Sequence, residues 1–442
     1  MVNIIRQHAK GWHTLSLLGT ALVMGSWGIA TPAIAAPATS SVFTEADASK
    51  MKDMESKIET LQSQLNQMAG GLASHSDSNE GLPMHGFMDV GFAGNTVGDP
   101  VAYPKGFFVG ALSFYLTPHF GDRVKALVEP NFEVTPEGTV ATDLERLQIG
   151  YTFSDTATLW AGRFHTPYGY WNTAFHHGAQ IQTAVNRPRF LDFEDKGGIL
   201  PAHMVGLWGT GKIKMGGNKF TYDVYAGNGP KIVMGPVDPY ATLAYSQTAG
   251  TLDINLAGDN NHQAMVGFNL GYEFQGSLDG LRLSIHGLRG DVDDDSSTYI
   301  SPTTPPTPIY NKTTLNMYGG ALVYLTDEWE VMGEIYQFSN KDKSTNTGSH
   351  KSRASVLQVG RSFNNLVPYV RLEKTALDQK DSYFGMQASG QSYTRQALGL
   401  RYNVNTKTAL KLELLNTHFE QESNRPVALH FRSLFVQYAI GF

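Results

Sequence analysis

The chain is 442 residues long, with 46 glycines, 11% aromatic residues and a formal net charge of −6. A balance this close to neutral excludes the basic surface of a nucleic-acid binder and the acidic run of a disordered tail. The sequence contains no cysteine, which removes thiol catalysis, thiolate metal sites and disulfides.

The N-terminus reads as a signal peptide over residues 1–36. Arg6, His8 and Lys10 precede an apolar run from Leu15 to Ala30, and Ala33-Ile34-Ala35 supplies small residues for cleavage. The run is shorter than the roughly 20 residues of a bilayer-spanning helix. No later stretch is long and apolar enough to be one. The mature chain is therefore expected either in the periplasm or in the outer membrane as a barrel.

Residues 45–69 read as a helix. Met51, Met54, Ile58, Leu61, Leu65 and Met68 repeat in alternating steps of three and four, the rhythm of a coiled coil. So short a helix is marginal alone, and is expected to add to an oligomer already held by larger contacts. Residues 70–82 form a polar linker rich in glycine and serine.

From residue 83 to residue 442 the period is two. In the last strand Leu434, Val436, Tyr438, Ile440 and Phe442 share one face, while Ser433, Gln437 and Ala439 share the other. Leu398, Leu400, Tyr402 and Val404 likewise alternate with Gly399, Arg401 and Asn403. A sandwich would bury that second face in oil, whereas a wide barrel wets it. Strands are expected at 84–93, 106–117, 122–133, 142–153, 157–166, 201–211, 219–227, 262–274, 280–289, 313–325, 328–339, 352–363, 366–375, 391–404, 407–418 and 430–442. Short turns such as Ser154-Asp155, Thr326-Asp327, Asn364-Asn365 and Asn405-Thr406 alternate with longer loops. The fold class is thus all-β, a transmembrane antiparallel barrel of about sixteen strands, with short turns on one side.

The longest loop, residues 166–200, holds aromatics that argue for docking rather than disorder. It is expected to fold into the lumen and set its aperture, with Arg187, Arg189, Asp192, Glu194, Asp195 and Lys196 as constriction residues. The alternative is that these bases and acids pair with one another and stiffen the loop. On strand parity, Lys125, Arg163, Arg282, Arg371, Arg395, Arg401 and Lys411 point into the pore, and Glu129, Glu330, Glu334, Glu373 and Glu413 join them as acids. A mixed wall of this kind sets up a transverse field. Its bland counterpart is a solvated wall, since charges facing lipid cost kilocalories.

Three features carry a resemblance: the signal peptide, the terminal strand LFVQYAIGF ending in Phe442, and the long third loop. The chain resembles the trimeric sixteen-stranded porins of Gram-negative outer membranes. The N-terminal coiled coil and the passage GRFHTPYGYW look more specifically like the phosphate-selective porin O and P family. The resemblance implies a homotrimer, a third loop acting as constriction, and a terminal aromatic, Phe442, read by the barrel-assembly machinery.

Catalytic and metal chemistry find little support. His165, His176, His177 and His203 lack a carboxylate at a ligand spacing, and no HExxH, nucleophile elbow or dinucleotide fingerprint occurs. Gly206 to Lys212 almost spells a phosphate loop, but Ile213 stands where Ser or Thr is needed. The run Asp291, Asp293, Asp294, Asp295 is expected on a surface loop. It lacks the glycine and terminal glutamate of an EF-hand, so the reading is a solvated loop without a bound ion. The alternative is a loop that collects calcium or bridges lipopolysaccharide through divalent ions. The reading is an outer-membrane diffusion channel for small hydrophilic solutes and ions, without cofactor, metal or nucleic acid, in contact with outer-membrane lipid and lipopolysaccharide. An anion- or phosphate-specific porin is the nearest alternative, and a barrel enzyme or adhesin the next.

Overall fold

A computed structural model describes residues 83–95, 106–134, 138–175, 178–193, 198–234, 250–253, 263–295, 312–344, 347–387, 389–422 and 429–442. The signal peptide, coiled-coil helix and linker read from the sequence lie outside these residues. So do His176, His177, Glu194, Asp195 and Lys196.

Among the described residues sixteen long strands form one barrel. They are β1 (Met84–Asn95), β2 (Gly106–Leu116), β3 (Val124–Val134), β4 (Val140–Ser154), β5 (Ala157–His165), β6 (His203–Met215), β7 (Asn218–Asn228) and β8 (Ala264–Glu273). The second half is β9 (Leu281–Asp295), β10 (Lys312–Leu325), β11 (Trp329–Asp342), β12 (Ser349–Arg361), β13 (Leu366–Ala376), β14 (Tyr393–Asn405), β15 (Thr408–Phe419) and β16 (Leu429–Gly441). Each expected strand has its counterpart. Neighbours pair antiparallel around the ring, and β1 closes it against β16, from Phe87 opposite Gly441 to Asn95 opposite Ser433. Closure leaves no edge with unpaired backbone groups, the condition for crossing lipid with strands.

Short turns gather at the end where both β1 and β16 have their outer termini. Asp155-Thr156 joins β4 to β5, and Gly216-Gly217, at φ +56 and +93, joins β6 to β7. Asn364 takes φ 54 in the turn between β12 and β13, a conformation asparagine tolerates better than most residues. The seam is completed by Phe442, whose N–H donates to the Gly86 carbonyl at 2.9 Å while the Gly86 N–H donates to the Phe442 carbonyl at 3.0 Å. A Cβ on Gly86 would run into the Phe442 ring, so this glycine makes room for the terminal aromatic.

Alternation sorts the side chains. Outward positions carry exposed apolar residues such as Ile149, Ile285, Ile335, Leu398 and Leu414. Tyr151, Phe153, Trp329, Phe363, Tyr402 and Tyr438 gather at the turn end, as in an interfacial aromatic girdle. Inward positions carry Glu129, Glu334, Arg371, Glu373, Lys411 and Glu413, all buried.

Two features depart from the sequence reading. The run from Asp291 to Asp295, expected on a loop, continues β9, because Asp291 finds Thr314 Oγ1 at 2.7 Å and Lys343 Nζ at 2.6 Å on neighbouring elements. A small hairpin, Lys231–Met234 against Gly250–Asp253, sits between β7 and β8. Its Gly250 N–H donates to the Met386 carbonyl in the loop after β13.

Candidate functional site

Among its described residues, the segment between β5 and β6 has little regular structure: a four-residue helix α1 (Trp171–Ala174) and a 3₁₀ turn at Arg189–Leu191. Its backbone N–H and C=O groups therefore need partners from elsewhere, because a buried one left unpaired is costly. They find them on the inner face of the barrel.

The loop closes on itself first. Thr166 N–H donates to the Ala202 carbonyl at 2.8 Å, and Asn172 Nδ2 donates to the Thr166 and Ala202 carbonyls at 2.8 and 3.2 Å. Gly169 follows at φ +60, with its Cα against Glu334 and the Tyr336 hydroxyl where a Cβ has no space. Arg187 knots the middle: its Nε donates to the Leu191 carbonyl at 2.9 Å, its Nη1 to the Phe175 carbonyl, and its Nη2 to Asn172 Oδ1 at 3.3 Å. Its guanidinium also lies 4.4 Å from the Phe193 ring centroid. Burial pulls the pKa of Arg187 below its ordinary value, and Asp192 opposes that.

The barrel wall then takes hold of the loop by a division of labour. Acids accept from loop N–H groups. Glu334 Oε1 accepts from Tyr170 and Trp171 at 3.1 and 2.7 Å, Glu413 Oε1 from Asn186 N and Nδ2 at 3.2 and 2.7 Å, and Glu373 Oε2 from Arg189 at 2.8 Å. Bases donate to loop carbonyls. Arg371 Nη1 reaches Asn186 at 2.8 Å, Arg401 Nη1 reaches Gln180 and Gln182 at 2.7 and 2.8 Å, and Lys411 Nζ reaches Ala179 and, at 3.0 Å, Ala184. Charge-assisted bonds of this kind are about twice as strong as neutral ones. Arg371 and Glu373 also pair with each other at 2.9 Å, so the buried charges compensate.

The loop reaches far down the barrel. Gln180 Nε2 donates at 3.0 Å to the carbonyl of Thr406, which lies in a turn at the opposite end from the loop's own roots. Aromatic and aliphatic groups fill the space between loop and wall: Tyr168, Trp171, Phe190 and Leu191 pack with Tyr336 and Tyr393. A second segment, after β13, folds inward too. Its four-residue helix α2 (Ser382–Gly385) is capped by Asp381, and Tyr383 OH donates to the Ile199 carbonyl at 2.6 Å.

These contacts correct the sequence reading of the wall. Arg371, Arg395 and Lys411 were expected to face an open pore, but all three are buried. Arg371 and Lys411 are consumed by the loop backbone, while Arg395 donates to Thr417 Oγ1 at 2.9 Å and lies over Tyr393. Arg163, expected inward, pairs in register with Leu147, an exposed residue of the outer face, and its Nε turns back to the Glu145 carbonyl at 3.1 Å. The register runs unbroken through Leu159, Ala161 and Arg163, which pair with the exposed Tyr151, Ile149 and Leu147. Lys125, Arg282 and Arg401 do stand on the inward parity and keep part of their surface exposed. Of the loop residues, Arg189 donates its N–H to Glu373 and lies over Phe419, and Asp192 Oδ1 accepts from the Phe193 N–H at 3.0 Å.

Polar groups that the loop leaves partly exposed stand on the inner face of β3 to β7 and at the turn end of β9. There Lys125, Arg146, Trp160, Trp208, Asp223 and Arg282 remain partly exposed. Arg146 Nε donates to Glu129 at 2.6 Å, Trp208 Nε1 donates to Asp223 at 3.0 Å, and Trp160 stacks on Trp208. Sequence reasoning missed Arg146, Trp160, Trp208 and Asp223. Parity alone placed them inward, but nothing local said which wall the loop would cover. His165 and His203 also meet here, rings 4.5 Å apart, with His203 Nε2 2.9 Å from Glu145.

A closed barrel of sixteen antiparallel strands, apolar outside and polar within, defines a porin-type barrel of the bacterial outer membrane. No protein-family model and no curated protein sequence matches the chain. Among solved structures it is similar to outer-membrane-expressed OmpT of Vibrio cholerae, at TM-score 0.52 and 10% identity, over 83% of this chain and 99% of that one. An OmpT form lacking loop L8 matches at TM-score 0.50 and 12% identity, over 83% and 100%. In-vitro folded OmpT in its trimer form matches at TM-score 0.50 and 10% identity, with the same coverage. The likeness is one of fold.

Proposed function

We propose that the chain is a passive diffusion channel for small hydrophilic solutes and ions, narrowed by loop 166–200. The observation that carries the reading is the loop's path: it runs along the inside of the barrel to Thr406 and is bound there by charged groups of β11 to β15. A sixteen-stranded ring encloses far more room than one ion needs, so a segment fixed to one side of it leaves a narrower passage along the other. Lys125, Arg146, Asp223, Glu273 and Arg282 on the uncovered wall supply charges of both signs.

The constriction role of Arg187, Arg189 and Asp192 is indirect in this reading: they set the loop's shape rather than the chemistry of the passage. Phe442 serves assembly, supported by its place in the seam. A homotrimer fits the fold, and OmpT of Vibrio cholerae is described in a trimer form. The chain is read as non-enzymatic, since the acids and bases that would make a catalytic set are bonded to loop backbone.

A second reading, an anion-preferring channel, has one observation for it. Lys125, Lys212, Lys219 and Arg282 stand on the inward parity near the turn end. Purified protein in a planar bilayer under a salt gradient tests both. Stepwise conductance supports a channel, and the sign of the reversal potential names the preferred ion. Absence of conductance from folded protein would end the reading.

A further inference from the structure

The outer face of the barrel is not uniform. At the loop end of β11 to β16, outward positions carry Lys341, Lys351, Arg353, Lys374 and Arg432, all exposed. Between them stand hydroxyl and amide groups. Register sets Lys351 beside Ser339, Arg353 beside Gln337, Lys374 beside Ser355 and Thr394, and Arg432 beside Asn416. His430 Nε2 is 2.7 Å from Asn416 Oδ1, which continues the band on to β16. Among the described residues, no outward position of these six strands is Asp or Glu; their acids all lie on the inward parity.

At the same height on β2 to β8 the exposed outward residues are apolar, Phe107, Val109, Val134, Val140, Leu144 and Val266 among them, with the half-buried Arg163 on the same parity. The band's flank begins at Arg289 on β9, exposed beside Val266. The basic band therefore belongs to one half of the barrel. Below it the face becomes apolar again at Leu357, Val370, Leu372, Leu398, Leu412 and Leu414. Like charges on adjacent strands destabilise a sheet unless a counter-charge lies between them. The band spans about 25 Å of perimeter at the usual strand spacing, directly above an apolar belt that acyl chains would cover. Charge, polar donors and apolar belt together complement a lipid with a phosphorylated headgroup.

We propose that the loop end of β11 to β16 is a binding surface for the phosphorylated sugar headgroup of an outer-leaflet lipid, held by Lys351, Arg353 and Lys374 as its centre. This rests on the reading that the loop end faces the cell exterior. Basic groups next to a membrane surface attract anionic headgroups, and arginine meets phosphate bidentately.

The test uses purified full-length protein in detergent, titrated with lipopolysaccharide, with the same lipid dephosphorylated, and with inorganic phosphate. The wild type is expected to bind lipopolysaccharide saturably, more weakly in high salt, and neither of the other two probes. K351Q/R353Q/K374Q is expected to weaken binding about tenfold, since three exposed charge contacts are lost. Arg361→Gln, also on the outer face but at the turn end, is expected to bind like wild type. Heat-modifiability checks that each variant is folded. Equal affinity of the triple variant, or equal binding of the dephosphorylated lipid, would overturn the proposal. So would a triple variant that loses its oligomer while holding lipid as before, since the band would then be a contact between protomers. Conductance of the triple variant is expected to equal that of wild type, so a protein that binds lipid but conducts nothing would end the channel reading alone.

Discussion

Glu413 and Asn186, far apart in sequence, share two hydrogen bonds: the carboxylate accepts from the Asn186 backbone N–H at 3.2 Å and from its side-chain amide at 2.7 Å. Arg371 takes the Asn186 carbonyl at 2.8 Å, so a single loop residue is gripped at its donors and its acceptor by charges on β13 and β15. Glu413 is also 3.5 Å from Arg371, and it accepts from Tyr369 OH. Truncating one partner of such a network leaves the other charge buried and unpaired.

Glu413→Ala is therefore expected to destabilise the seated loop by about 3–5 kcal/mol. The readout is limited proteolysis of the folded barrel within 178–193, together with open-channel noise. Cleavage and noise should both rise while the heat-modifiable barrel remains. A loop as protected as in wild type would show that Asn186 is held by other contacts.

Gly86 gives a test at the seam. A side chain there collides with the Phe442 ring, which also packs edge-on against Phe114 at 6.1 Å. Gly86→Val should reduce the yield of folded outer-membrane protein, and so should Phe442→Ala, while secretion to the periplasm is unchanged. Overpacking of this kind costs about 1–3 kcal/mol. Normal yields from both variants would deny the seam its role in assembly.

The second inward segment carries a pH dependence. Burial pushes the Asp381 carboxyl up to about 6, partly opposed by the Tyr383 N–H and Asn340. A carboxyl whose folded pKa lies above its unfolded value stabilises the fold fully below the unfolded pKa, and that stability is lost as pH rises through the folded one. Loop 377–392 should thus be held more firmly near pH 4 than near pH 7, by up to about 2–3 kcal/mol. Hydrogen exchange at Tyr383, corrected for the intrinsic rate, checks the direction. Protection independent of pH, or rising with pH, would contradict it.

Much of this architecture was legible in sequence because a period of two, unlike burial, needs no tertiary knowledge. Leu398, Leu400 and Tyr402 point out and Gly399 and Arg401 point in wherever the strand sits. The length of the third loop and its aromatics were visible as well. What parity does not carry is which inward groups meet water and which meet the loop. Arg371 and Arg282 look alike in sequence, yet one is buried against Asn186 and the other keeps exposed surface beside Glu273. Arg163 escaped because its strand turns the aromatics Trp160 and Phe164 inward and sets Arg163 on the parity of Leu159 and Ala161, so charge alone gave the wrong face. The acidic stretch at Asp291 looked like a loop because its partners, Thr314 and Lys343, come from later elements.

The central claim is that loop 166–200 occupies the lumen and narrows it. Single-channel recording in a planar bilayer, comparing wild type with a variant lacking residues 175–188, tests it most directly. Conductance follows the narrowest cross-section, so the deletion should raise it about twofold or more and admit larger solutes. Heat-modifiability establishes that the shortened barrel is folded. A folded deletion variant with wild-type conductance and an unchanged solute size limit would contradict the account.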